Sequence, residues 1–155
     1  MPNWCEGSLK IRGTKGNIKR FLQDGVESAH GEKLVVEWKG QDVKIENSAD
    51  YIYIKGTKSH FLDKGSDYGL ENYLYRLTDG RFCISFPNFS AAWNIDAKSL
   101  ADISKEYGID FKIFAFECGC EFNRDILILD GVIEKDFTIR YDDYVWDCVC
   151  PEIGG

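Results

Sequence analysis

Apolar and polar positions alternate from the start of the chain. Leu9 and Ile11 fall on one side of an extended segment, and Ser8, Lys10 and Arg12 on the other, which predicts a strand over the first thirteen residues. Gly13 and Thr14 end that strand and cap the next element. The strand starts so close to Met1 that no signal peptide is expected before it. The spacing then changes to a helical one: Ile18, Phe21, Leu22 and Val26 share a stripe, predicting a helix over Thr14–Ala29 with Gly31 beyond its end and Gly25 as a point where it can stop early. Short apolar runs at Lys33–Lys39, Asp42–Glu46 and Tyr51–Lys55, separated by Gly40-Gln41 and Asn47-Ser48, predict an antiparallel meander.

Phe61–Tyr75 has no clear period, and Gly65, Ser66, Asp67 and Gly69 predict a loop followed by one helical turn at Leu70–Tyr75. Asp79-Gly80 leads into a strand from Arg81 to Phe86, closed by Pro87 and Asn88. Asp96–Tyr107 is the clearest helix. Asp96 is its cap, Leu100, Ile103 and Tyr107 form its stripe, and Gly108 follows its end. Strands are predicted at Asp110–Phe116, Ile126–Leu129 and, after the Asp130-Gly131 turn, Val132–Ile133; Phe137–Tyr144 predicts a last one. This order resembles an α+β ferredoxin-like sandwich, an antiparallel sheet with two helices on one face and extra strands. No repeat, low-complexity tract or linker interrupts it. The expectation is a single domain over 1–155 with an acidic, aromatic-rich segment from about residue 134.

Composition narrows the function classes. No apolar run approaches the roughly 18 residues a membrane span needs, which predicts a cytoplasmic protein with no membrane partner. The net charge is −7, and it is unevenly placed. Met1–Phe116 holds sixteen basic and sixteen acidic residues, so the three basic and ten acidic residues of Glu117–Gly155 account for all of it. That balance argues against direct nucleic-acid binding, which requires a basic stripe. It suits either a face for a basic protein partner or a solubilising surface.

Three blocks carry a family resemblance. The opening Met1-Pro2-Asn3-Trp4-Cys5-Glu6-Gly7-Ser8-Leu9-Lys10-Ile11-Arg12-Gly13, the Phe86–Trp93 segment before the second helix, and Glu117, Gly119 and Phe122 at a hairpin tip resemble the YubB-type ferredoxin-like family of plasmid and phage proteins. The resemblance implies the ferredoxin-like fold and a mobile-element setting, and it brings no catalytic residues. The Trp-Gly-Thr-Lys-Trp segment of that family has its nearest counterpart in Lys55-Gly56-Thr57-Lys58, without either tryptophan. Trp4 and Trp93 read as core packing where strand meets helix.

The chemistry-bearing residues are few. Cys118-Gly119-Cys120 and Cys148-Val149-Cys150 form two Cys-x-Cys pairs, and four thiolates would hold zinc if they converged tetrahedrally. The competing reading is reduced, partly buried thiols, because sulfurs two residues apart on a strand stand too far apart for one site and nothing marks an oxidising compartment. His30 and His60 lie in predicted loops with no metal or nucleophile motif, and Gly13-Thr14-Lys15-Gly16 lacks phosphate-loop spacing. No enzymatic activity is expected, and no cofactor beyond the zinc alternative.

The C-terminal segment interleaves Tyr141, Tyr144 and Trp146 with Asp142, Asp143 and Asp147, which makes these six the candidate partner-binding residues. An edge strand guarded by charge is the alternative reading of the same pattern. The leading functional expectation is a non-enzymatic interaction protein of a phage or mobile element. Its most concrete form is an inhibitor that presents an acidic face to a basic, nucleic-acid-handling host defence protein. The alternatives are a small-ligand or nucleotide binder using the sheet face, and a zinc-stabilised module.

Overall fold

A computed structural model of the chain describes residues 1–46, 51–64 and 70–155. Strand β1, Trp4–Gly13, alternates as its sequence requires, with Leu9 and Ile11 fully buried and Lys10 exposed. Thr14 accepts the Asn17 N–H and caps helix α1, Lys15–Arg20. This helix is shorter than the predicted Thr14–Ala29. It widens into a single π-helical turn, Phe21–Gly25, and gives way to strand β2, Val26–Ser28. Val26 pairs with Ile54, so strand pairing overrides the helical spacing that Val26 shares with Ile18 and Leu22.

The predicted meander is divided between two sheets. Strands β3, Val35–Lys39, and β4, Asp42–Glu46, form a hairpin. Strand β5, Tyr51–Ile54, leaves it and pairs with β2 and with β6, His60–Lys64. The helical turn expected at Leu70–Tyr75 is strand instead: β7, Leu70–Tyr73, pairs with β4, and β8, Tyr75–Arg76, pairs with the next strand, β9, Phe82–Ala92. The Asn47-Ser48 turn and the loop at Gly65, Ser66, Asp67 and Gly69 lie outside the described residues.

Strand β9 runs straight through Pro87. The β1–β9 register shifts between Gly7 and Leu9, and that bulge lies opposite Pro87, where the missing N–H breaks no ladder bond. Helix α2, Ala97–Tyr107, starts on Asp96, which accepts the Ser99 N–H, and ends at Gly108. Strands β10, Asp110–Glu117, β11, Phe122–Leu129, and β12, Val132–Ile139, complete one sheet edge. Asp130 and Gly131, with φ of 48° and 78°, make the tight turn between the last two. The expected strand at Phe137–Tyr144 ends early; one turn of helix, α3, forms at Tyr144–Asp147.

The large sheet has the order β12-β11-β10-β1-β9-β6-β5-β2, with β8 alongside β9, and the small sheet has the order β3-β4-β7; every pairing is antiparallel. The α+β ferredoxin-like sandwich is therefore not what forms. Among the described residues, twelve strands in two sheets dominate three short helices. The reason is local. The first predicted helix is cut to less than half its length, and residues 26–76 add strands where a two-helix sandwich has one.

Both sheets share one apolar cluster. Phe86, Phe89, Phe111 and Ile126 of the large sheet join Val43 and Ile45 of the small one, with Ile18 of α1 and Leu100 of α2 closing over them. Close approach at the sheet centre depends on Gly7: a Cβ there would lie 2.1 Å from the Phe114 carbonyl oxygen and 2.7 Å from the Ala115 Cα. Charge is locked at the far end, where Asp110 accepts from Arg12 at 2.8 Å, from Arg81 at 3.0 Å and from the Asp130 N–H at 3.0 Å.

Candidate functional site

The acidic, aromatic segment after β12 folds into an anchored knob. Its anchor is Asn123 on β11, almost fully buried. The Asn123 amide donates to the Tyr141 hydroxyl at 3.1 Å, and its carbonyl oxygen accepts from the Tyr144 hydroxyl at 2.9 Å. The Cys148 thiol sits against the same oxygen at 3.6 Å. Asp143 caps α3 by accepting the Trp146 N–H at 3.2 Å, and the Cys148 N–H returns to the Tyr144 carbonyl. Burial pushes the Tyr144 phenol above its ordinary range, with a further push from the neighbouring Cys148. Burial also opposes ionisation of Cys148, but hydrogen bonds from Asn123, the Cys150 backbone and Tyr144 outweigh it and hold that thiol below its ordinary value.

This anchoring divides the six predicted partner residues. Tyr144 is buried and structural, and Tyr141 is half-buried on Asn123. Asp142, Asp143 and Asp147 are exposed, as is Trp146, 85% accessible. Beside Trp146 stand Val145, 73% accessible, and Val149, 87% accessible. Neither valine is among the predicted partner residues, although both are apolar neighbours of Trp146 in the sequence. The segment thus exposes Val145, Trp146 and Val149 close in sequence to three exposed aspartates, of which Asp143 accepts the Trp146 N–H and Asp147 the Asp143 N–H. Apolar side chains this exposed, in a charged segment, are the kind that interaction surfaces use. The edge-strand alternative holds for the neighbouring β12, which lies at the end of the large sheet with Phe137 exposed and carries Glu134, Lys135 and Asp136.

The four paired cysteines do not converge. Cys118 donates to the Gly154 carbonyl at 2.9 Å, Cys120 accepts from the Asn3 amide at 3.3 Å, Cys148 is held by Asn123, and Cys150 is half-buried. All six cysteines are free thiols, and among the described residues no group of three or more Cys, His, Asp or Glu is placed to hold a metal ion. The zinc alternative at Cys118, Cys120, Cys148 and Cys150 therefore gains no support from the described residues. Glu117 closes the hairpin by accepting the Gly119 and Cys120 N–H groups at 2.9 and 2.7 Å. Cys5 is fully buried, and burial, aided by the Glu117 charge, pushes its thiol up to about 12.

A second site was not legible as one. Trp4 is half-buried, outside the core cluster, and packs against the half-buried Phe61 at 6.0 Å between ring centroids; Trp93 is more exposed still. It is 63% accessible and lines a cavity of about 550 Å³ with Lys58, Ser59, His60, Asn94 and Asp96. Pairing of His60 with Ala91 brings the Lys55–Lys58 turn beside the Phe86–Trp93 segment. His60 is no loop residue. It is buried in β6, its Nδ1 lies 2.7 Å from the Lys58 carbonyl, and its Nε2 accepts the Asp96 N–H at 2.9 Å. Burial lowers its pKa, so the ring is neutral and both nitrogens are committed.

Compared with known proteins, the chain matches no family model, no curated protein and no solved structure. Among the described residues, no helix is long and apolar enough to cross a membrane. The functional reading therefore rests on the geometry of the knob and of the Trp93 cavity.

Proposed function

We propose that this chain is a non-enzymatic interaction protein that grips a basic protein surface with its C-terminal knob. The observation that carries the proposal is Trp146, exposed at the tip of a turn whose neighbours Tyr144 and Cys148 are buried. A tryptophan held outward on a rigid base keeps its contact area ready without an ordering cost, as binding anchors do. Asp142, Asp143 and Asp147, close to it in sequence, select a socket ringed by Lys and Arg and speed the encounter. Surfaces of that kind belong to proteins that handle nucleic acids. The function proposed is occlusion of such a surface, with the carboxylates standing where phosphates would. The resemblance of the opening and of Phe86–Trp93 to YubB-type proteins supports a mobile-element setting, in which the target is a host defence protein.

The test is capture of partners from bacterial lysate by the tagged chain at low and high salt, with Trp146→Ala and with Asp142→Lys plus Asp143→Lys. A stoichiometric basic partner, lost in both variants, released by salt and displaced by nucleic acid, is expected. A partner retained by both variants, or no partner at all, overturns the proposal.

A further inference from the structure

The Trp93 cavity lies apart from the knob and carries its own reading. Trp93 has φ of 66° and sits at the centre of a three-residue turn closed by the Asn94 N–H on the Ala92 carbonyl at 2.8 Å. Positive-φ turns of this size are rare and strained, more so around a large side chain. The turn is held from both sides: the Trp93 N–H donates to the Asn3 carbonyl at 2.7 Å, and the Ala92 N–H donates to the Ser59 carbonyl at 3.0 Å. Ser59 itself has φ of 55°. Two left-handed non-glycine residues thus meet at one cavity, and what the conformation achieves is to swing an indole out of the core into the cavity wall.

The remaining polar groups there are largely committed. His60 is satisfied on both nitrogens, and the Asp96 carboxylate accepts from the Ser99 N–H and the Ser99 hydroxyl at 3.1 and 2.6 Å. Lys58 is exposed, and among the described residues it has no ion-pair partner. An open aromatic face, a cation without a partner and a few hundred cubic ångströms of space are complementary to one ligand chemistry.

The geometry points to a nucleotide site, in which a planar heteroaromatic base stacks on Trp93 and its phosphate pairs with Lys58. His60, committed on both nitrogens, shapes the cavity wall and is not offered to the ligand. The nucleotide comes either as a free mononucleotide or as one residue of a single strand, and the two sources share this recognition.

Titration calorimetry of the full chain with AMP, UMP, adenosine, ribose 5-phosphate and a ten-residue single-stranded oligonucleotide tests the site. AMP and UMP are expected to bind and ribose 5-phosphate not to. Trp93→Ala weakens binding by about tenfold or more, and Trp93→Phe by less than about threefold. Lys58→Ala brings AMP down to the affinity of adenosine. The Trp93 side chain is exposed, so these variants keep the fold, which a melting curve checks. An oligonucleotide that binds more tightly than AMP, with the same Trp93 dependence, assigns the site to a strand; the reverse order assigns it to the free nucleotide. Absence of binding by mononucleotides and oligonucleotide up to about 5 mM, or binding that survives Trp93→Ala, overturns the inference. The Trp93 variants keep partner capture by the knob, so the two readings fail separately.

Discussion

Replacing Asn123 with alanine tests whether one buried amide holds the knob. Three groups depend on it: the Tyr144 hydroxyl at 2.9 Å, the Tyr141 hydroxyl at 3.1 Å and the Cys148 thiol. The Tyr144 hydroxyl is the costly loss. It loses its oxygen acceptor and keeps only the weak Cys148 sulfur as a partner in a dry site, worth about 1–3 kcal/mol. The half-buried Tyr141 finds water at a cost of about 0.5 kcal/mol, and the small void left by the amide adds about 1 kcal/mol. The expected destabilisation is about 2.5–4.5 kcal/mol, a large part of the roughly 5–15 kcal/mol that holds a typical domain. Urea unfolding measures it as a lower midpoint at unchanged slope.

A double-mutant cycle makes the test specific. Tyr144→Phe alone should cost about 1–2 kcal/mol, because the Asn123 oxygen loses its best donor. In the Asn123→Ala background the same change should be neutral or stabilising, since it removes the poorly partnered hydroxyl. A coupling above about 1 kcal/mol is therefore expected. Limited trypsin digestion supplies an independent readout: cleavage after Arg140, which now donates to the Cys120 carbonyl at 3.1 Å, should accelerate in Asn123→Ala and release the segment from Tyr141 onward. Additivity of the two changes within about 0.3 kcal/mol would refute the anchor, whatever their individual sizes.

Gly7→Ala forces a Cβ to within 2.1 Å of the Phe114 carbonyl, an atom of the backbone that cannot rotate away, and should cost more than about 3 kcal/mol or abolish folding; soluble yield and melting temperature read it. Trp93→Gly relieves the left-handed strain of about 1–2 kcal/mol at the expense of about 0.5–1 kcal/mol of chain entropy, while little packing is lost at an exposed side chain. It should raise the melting temperature by a few degrees, about 2–4 °C per kcal/mol gained, and a fall would mean that the turn is unstrained. Cys5 gives a pH signature. Its folded-state pKa is raised from 9.0 to about 12, so its contribution is fully present below pH 9 and is lost as pH rises through that window, at about 1.4 kcal/mol per pH unit. Cys5→Ala should flatten the alkaline decline in urea stability between pH 9 and 11; identical slopes in both proteins would rule the assignment out.

Local patterns were legible where alternation, capping or turn chemistry lies within the segment itself. β1, β4, α2 with its Asp96 cap, and the Asp130-Gly131 turn all stand where alternation, capping and turn chemistry put them. The misreadings share one cause, which is partners distant in sequence. Val26 carries a helical stripe but is claimed by Ile54. Pro87 reads as a strand end, yet it sits harmlessly at a bulge that only the β1 register creates. These substitutions of strand for helix and loop are what removed the ferredoxin-like sandwich. At the candidate sites, the tail composition pointed to the knob but could not show that Tyr144 faces inward and Val145 and Val149 outward. The Trp93 cavity left no sequence signal beyond the residues themselves, because the pairing of His60 with Ala91 assembles it.

The middle position of β1 has a consequence for how the chain is made. Its two neighbours, β9 and β10, begin at Phe82 and Asp110, so a hydrophobic strand completed by Gly13 waits for some seventy to a hundred further residues before either flank is covered. At ordinary translation speeds of about 5–20 residues per second that is several seconds with both edges bare. Pairings of such long sequence separation also close slowly once the residues are present. Yield should therefore depend on temperature and chaperone supply during synthesis more than on the stability of the finished protein. Slowing growth after induction, rather than strengthening the fold, is the lever for obtaining it in quantity.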